Sequence, residues 1–162
     1  MHIRNQFKSK EIPKIAQQIY NLIQQEKGLT KHPLSSIKKL IKDGSVFVSF
    51  NHNSQIVGFV TRKKITTNFF EIRSWYVAPK YRQTGLAGNI LRKALKGNRF
   101  NYVAATFQPS IVDIGKKFGF EHATLSDLPP RVLIHFILSR NLSSIFKHLT
   151  GKKSTLLIRK CA

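Results

Sequence analysis

Residues 12–26, IPKIAQQIYNLIQQE, place Ile12, Ile15, Ala16, Ile19, Leu22 and Ile23 at three- and four-residue intervals. That spacing predicts a helix with one buried stripe. Pro13 falls in its first turn, where a missing N–H is tolerated, and Gly28 can close it. HPLSSIKKLIKDG predicts a second, shorter helix, with Leu34, Ile37, Leu40 and Ile41 inward and Gly44 as its stop. The period then changes. SVFVSF and QIVGFVTRKK are β-branched and aromatic runs around the turn formers NHNS, which predicts a hairpin. Residues 69–77 read as a third strand, and 86–96 as a helix with Leu86, Ile90, Leu91, Ala94 and Leu95 inward. YVAATF (102–107) reads as a short buried strand, and 110–118 as a short helix ending at FGF. Two apolar segments within 131–148 suit helices, although VLIHFIL also fits a strand, and STLLIRK predicts a last strand. This order implies one domain over 1–162 of the α/β (α+β) class, a mixed central sheet with helices against it.

Composition narrows the class. Apolar residues make up 41% of the chain and its 12 Phe are spread along its length, which supplies a core and argues against disorder. No run approaches the roughly 18 apolar residues of a membrane span, and MHIRNQFKSK lacks the apolar centre of a signal peptide. A cytoplasmic protein is the expectation. Cys161 is the single cysteine, which excludes an internal disulfide framework and a cysteine-based zinc site; no metal is expected. Lys and Arg total 28 against seven acids, a formal charge of +21. Such a surface attracts polyanions, whether nucleic acid, an acidic membrane face or a phosphorylated cofactor. The cations are scattered rather than gathered in one tail, which equally suits a generally basic, soluble surface.

The stretch EIRSWYVAPKYRQTGLAG, Glu71 to Gly88, carries the chemistry. Pro79 ends a strand, and Thr84, Gly85, Leu86, Ala87 and Gly88 lead directly into an amphipathic helix. Small residues let a ligand approach the backbone. The first amides of a helix lack internal partners and lie at the positive end of its dipole, so the turn can cradle an anion. Neither G-x-G-x-x-G nor G-K-[ST] is present. A purely structural turn is the other reading.

Residues 71–95 resemble the acetyl-coenzyme A motif of the GCN5-related N-acetyltransferase (GNAT) superfamily, [Q/R]-x-x-G-x-[G/A], here Arg82, Gln83, Thr84, Gly85, Leu86 and Ala87. IPKIAQQIYNLI is similar to the family's first helix, the hairpin to its second and third strands, and IVDIGKKFGF to the helix ending in Gly-Phe. The resemblance implies a GNAT-like fold and acetyl-CoA as cosubstrate. The amides of Gln83 to Gly88 then hold the pyrophosphate, with Arg82 in register and Gly85 and Ala87 where a larger side chain intrudes. Trp75, Tyr76 and Val77 lie at the strand end that holds the pantetheine arm and thioester, so Trp75 counts on both the cofactor and the catalytic side. Glu71 matches the position of a general base and, with Arg73, a place on the acceptor side. The competing reading makes Glu71 a solvent-side strand residue.

Two departures stand out. The family's tyrosine that protonates the leaving thiolate corresponds to Gly115, with Tyr76, Tyr81 and Tyr102 as candidate substitutes and Ser110 and His122 also near. FQPS stands where an Asn is common. The tail, through DLPP, weakly resembles the acetyltransferase domain of N-acetylglutamate synthase, which implies an amino-acid α-amine as acceptor and makes Arg73, Arg131 and Arg140 candidate carboxylate clamps. The functional expectations are therefore three. One is an N-acetyltransferase acting on a primary amine, with a small-molecule amine or amino acid as partner. Another is a nucleic-acid- or ribosome-associated acetyltransferase or RNA-binding module. The third is a catalytically degenerate acetyl-CoA binder. Edge strands and tail can support a homodimer.

Overall fold

Helix α1 (Ile12–Gln25) forms where the stripe predicts, with Ile12, Ile15, Ala16, Ile19 and Ile23 buried. The computed structural model describes the chain except for residues 27, 28, 30, 96–98, 139–154 and 162. Gly28 and the second apolar segment of the tail, with Arg140, lie outside the described residues. Helix α2 (Leu34–Lys42) buries Ile37 and Ile41, and Lys39 and Lys42 complement the negative end of its dipole. Gly44 follows at φ +62°, a left-handed turn that suits glycine.

The chain divides into two compact units, Met1–Lys63 with Arg73–Lys96, and Lys64–Ile72 with Gly97–Ala162. In the first, β2 (Val46–Phe50) and β3 (Ile56–Lys64) make the predicted hairpin, Val46 opposite Thr61. Asn51 shapes its turn, the side-chain oxygen accepting the amides of Asn53 and Gln55, each at 2.9 Å. All five residues of β2 are buried, so both of its faces are covered. A short strand β1 (His2–Arg4) pairs antiparallel with β2. Its three residues carry no alternation that sequence could reveal. Strand β4 (Phe69–Val77) is shared, residues 69–72 with the second unit and 73–77 with the first. Helix α3 (Leu86–Ala94) buries Leu86, Ile90, Leu91 and Ala94.

In the second unit, β4 runs parallel to β5 (Asn101–Thr106) from Phe69–Asn101 to Ile72–Ala104. Helix α4 (Pro109–Lys117) follows, then β6 (Glu121–Ala123) and α5 (Pro130–Leu138). VLIHFIL is therefore helical: Pro129 and Pro130 start the turn, and Val132 and Phe136, four apart, are buried. The last strand, β7 (Thr155–Arg159), inserts between β5 and β6, antiparallel to both. The mixed strand order is thus β1-β2-β3-β4-β5-β7-β6, with β4 belonging to both units. Phe69, Val103, Leu128, Val132, Phe136 and Ile158 form the second unit's core.

Gly58 in β3 governs the packing of the first unit. A methyl group placed there would lie 2.7 Å from Ile90 Cδ1 of α3 and 3.1 Å from the Tyr76 carbonyl oxygen of β4. The methyl end of the isoleucine side chain can shift, but the backbone carbonyl cannot do so cheaply. Substituting Gly58→Val is expected to cost about 1–3 kcal/mol by overpacking and to lower Tm by several degrees in calorimetry.

Candidate functional site

The parallel ladder of β4 with β5 reaches Ile72, and two residues later Ser74 adopts φ +43°. A non-glycine residue in that region distorts a strand and stores backbone strain. Beyond it the strand end, Trp75 to Val77, belongs to the first unit together with the turn and α3. Trp75 is half-buried, and its indole N–H is enclosed without a hydrogen-bond acceptor. An orphaned donor of that kind costs about 1–3 kcal/mol, which fits a place completed by a ligand oxygen. The Tyr76 ring packs on Phe59 at 5.5 Å between centroids, inside the core formed with α1 and α2. Only its backbone is available to a ligand.

After Pro79–Tyr81, a single turn, Gln83 at φ +64° and Gly85 at φ +78° bend the chain into α3. The first bond of the helix runs from the Asn89 amide to the Gly85 carbonyl at 3.1 Å. The amides of Leu86, Ala87 and Gly88 precede it and have no place in the helix's own ladder. Alternating left-handed residues before a helix start make a concave anion site. Nothing lies within 4 Å of a methyl group placed on Gly85, so that position opens outward, where an anion would approach. Leu86 itself is buried and offers only its amide. Thr84 donates its hydroxyl to the Tyr81 carbonyl at 2.8 Å and stiffens the turn. Arg82 acts on the protein: its Nε donates to the Val77 carbonyl at 3.0 Å, and its guanidinium pairs with Glu26 at 3.3 Å. Val77's carbonyl is therefore already engaged. Exposed pairs of this kind contribute little energy, and here the pair sets the geometry of the loop.

Glu71 lies on the second-unit part of β4, opposite Val103, and is completely enclosed. Its reading as a solvent-side residue is thereby corrected. Arg73 follows on the first-unit part, its carbonyl accepting the Thr61 hydroxyl at 2.9 Å. Gly115 is buried on α4, and a methyl group there would meet Leu157 Cδ1 at 3.1 Å and Phe120 Cβ at 3.5 Å. The position that was matched to the acidic tyrosine faces the core. Tyr102 is fully buried among Phe70 and Phe120, which removes it as a substitute acid. Tyr76's hydroxyl is pushed up by burial and then by Glu26. Ser110, His122 and Arg131 are exposed on the second unit. Among the described residues, no group of three or more His, Cys, Asp or Glu could hold a metal, and no helix is long and apolar enough to cross a membrane.

Two residues at this site carry no sequence signal. His32, just before α2, lies with Nε2 3.3 Å from the Ser74 hydroxyl. Burial first, then the charges of Arg73 and Lys63, hold His32 below the ordinary histidine range. In the sequence His32 only precedes a proline at a helix start, and Ser74 only continues a strand.

Residues 16–107 match the model of the acetyltransferase (GNAT) family. The chain belongs to that family, and its class of activity is acetyl-CoA-dependent acetyl transfer. No curated protein matches the chain. Among solved structures it is similar to Rv2747 of Mycobacterium tuberculosis, in complex with CoA and NLQ, with TM-score 0.75, 15% identity and 100% of both chains covered. N-acetylglutamate synthase of Neisseria gonorrhoeae, complexed with coenzyme A and N-acetyl-glutamate, gives TM-score 0.68 and 20% identity over 99% of this chain. This chain covers 35% of that one. Ard1 of Thermoplasma volcanium gives TM-score 0.68 and 17% identity over 98% of this chain and 95% of its own. At these identities the structures establish the shared fold.

Two substitutions test this geometry. Gly85→Leu strains a left-handed position by about 1–2 kcal/mol without a clash inside the protein, so circular dichroism should show a retained fold. Coenzyme A affinity, measured by calorimetry, is expected to fall at least about tenfold, 1.4 kcal/mol. Gly115→Tyr should instead lower Tm, at a cost of about 1–3 kcal/mol, and raise no activity.

Proposed function

We propose that the chain transfers an acetyl group from acetyl-CoA to the primary amine of a small amino acid or related metabolite. The observation that carries this reading is the left-handed turn at Gly85, with the unladdered amides of Leu86, Ala87 and Gly88 behind it. Those amides, with Gln83 and Thr84, hold the pyrophosphate by hydrogen bonds and helix polarity. Arg82 keeps the loop on the strand end through Val77. Trp75 offers its orphaned indole N–H, and the backbone of Tyr76 and Val77 lines the pantetheine arm. Bound acetyl-CoA supplies an activated thioester.

On the acceptor side, Glu71 is the candidate counter-ion to the ammonium of the amine. Arg73 is the candidate for an acceptor carboxylate, by a bidentate pair. The N-acetyl-glutamate bound by the gonococcal synthase supports an amino-acid acceptor, on the strength of a similar fold. The high positive charge favours capture of a polyanionic cosubstrate.

The test combines calorimetry with coenzyme A and thiol release from acetyl-CoA over a panel of amino acids, polyamines and short peptides. Binding with turnover of at least one amine is expected. Cofactor binding without turnover marks a degenerate binder, and absence of binding overturns the reading. Glu71→Gln should weaken binding of the amine, raising its KM by about tenfold (1.4 kcal/mol), while coenzyme A affinity stays within a few-fold of the parent.

A further inference from the structure

The acetyltransferase reading leaves unused a pair that the fold assembles from residues 42 apart in sequence. His32 comes from the connection between α1 and α2, and Ser74 from the distorted position of β4, both in the first unit. Both chain neighbours of His32 are held. Lys31 donates its ammonium to the carbonyls of Ile23, Gln24 and Glu26, at 2.7 Å for Gln24 and 3.3 Å for Glu26, capping the end of α1. Pro33 then starts α2, its carbonyl accepting the amides of Ser36 and Ile37. The imidazole thus sits between two anchored residues, next to the strand end that carries Trp75.

We propose that the His32–Ser74 pair is the group that takes the proton from the acceptor amine. The inference rests on the acetyltransferase reading and names a residue of the same reaction. The acceptor arrives as an ammonium, whose lone pair is blocked. One of its protons passes to the Ser74 hydroxyl as that hydroxyl gives its own proton to Nε2 of His32. The freed nitrogen lone pair forms the C–N bond, the C–S pair leaves on sulfur, and a second nitrogen proton neutralises the thiolate. The imidazolium returns its proton to water.

The surroundings suit this role. Lys63 on β3 and Arg73 on β4 both disfavour the imidazolium, and burial adds to them. The ring is therefore neutral, and able to accept, through the neutral pH range. A protonated ring beside two cations then discharges readily, which suits turnover. Ser74's left-handed backbone, a strained state for a residue other than glycine, turns its hydroxyl onto the ring at 3.3 Å.

The experiment uses the full chain and three measurements: coenzyme A binding by calorimetry, the pH profiles of kcat and kcat/KM with the amine panel, and proton NMR titration of the histidine rings. His32 is assigned from the resonance missing in His32→Gln. In the parent, kcat/KM should fall as pH drops, with a midpoint below the ordinary histidine value that matches the NMR midpoint of His32. His32→Gln should lower kcat by about 10²–10⁴-fold and abolish that limb, with coenzyme A affinity unchanged. Ser74→Ala should also lower kcat. Arg73→Gln removes a cation and should move both midpoints to higher pH. Failure of the parent to bind coenzyme A overturns the acetyltransferase reading. Binding with no amine acetylated overturns both. Binding and turnover with an acid limb that persists in His32→Gln, or with kinetic and NMR midpoints that disagree, overturn the role of His32 alone.

Discussion

The close approach of α3 to β3 at Gly58 is the contact on which the rest of the first unit depends. With hydrogen in place of a side chain, β3 accepts Ile90 on one side and the Tyr76 carbonyl on the other. Ile90 and Leu91 can then be buried completely, which sets the axis of α3 and hence where its N-terminal amides begin. A bulkier residue would push α3 outward and move the anion turn with it. The turn itself is short, so its position follows almost entirely from the two elements it joins. Arg62 adds a second tie: it is buried against Phe47 and donates to the Ala94 carbonyl at 2.7 Å, at the far end of α3. One end of the helix is thus anchored by a cation, and the other begins at the left-handed Gly85.

A chain of polar contacts links this turn to the surroundings of His32 in the same unit. Arg82 joins Val77 to Glu26, and the Glu26 carbonyl is among those that Lys31 caps, one residue before His32. Each contact alone is weak because solvent competes for it. Their effect is geometric, since they place the loop, the end of α1 and the α1–α2 connection against the same strand end. Several of the chain's many cations are thereby accounted for as structural ties rather than as a surface for a polyanion.

Much of the fold was legible because burial follows periodicity. The stripes of α1 and α3 and the hairpin around NHNS each satisfy their backbone locally, and all three formed within a residue or two of expectation. The turn into α3 was legible for the same reason, since Gly85 and the small residues after it carry a local backbone requirement. Other features were not. Strand β1 is three residues held only by its pairing with β2. VLIHFIL fits either period until neighbours bury Val132 and Phe136. Gly115 was matched by motif to a catalytic position, whereas Leu157, more than forty residues on, decides that it packs in the core.

The amino-acid sequence alone determined the element types, the mixed class of the sheet and the glycine turn into α3, because each is written in local spacing and backbone preference. Tertiary structure decided the insertion of β7 between β5 and β6, the full enclosure of Glu71 and the meeting of His32 with Ser74. These depend on which distant segments share a face, and no periodicity within either segment encodes that choice.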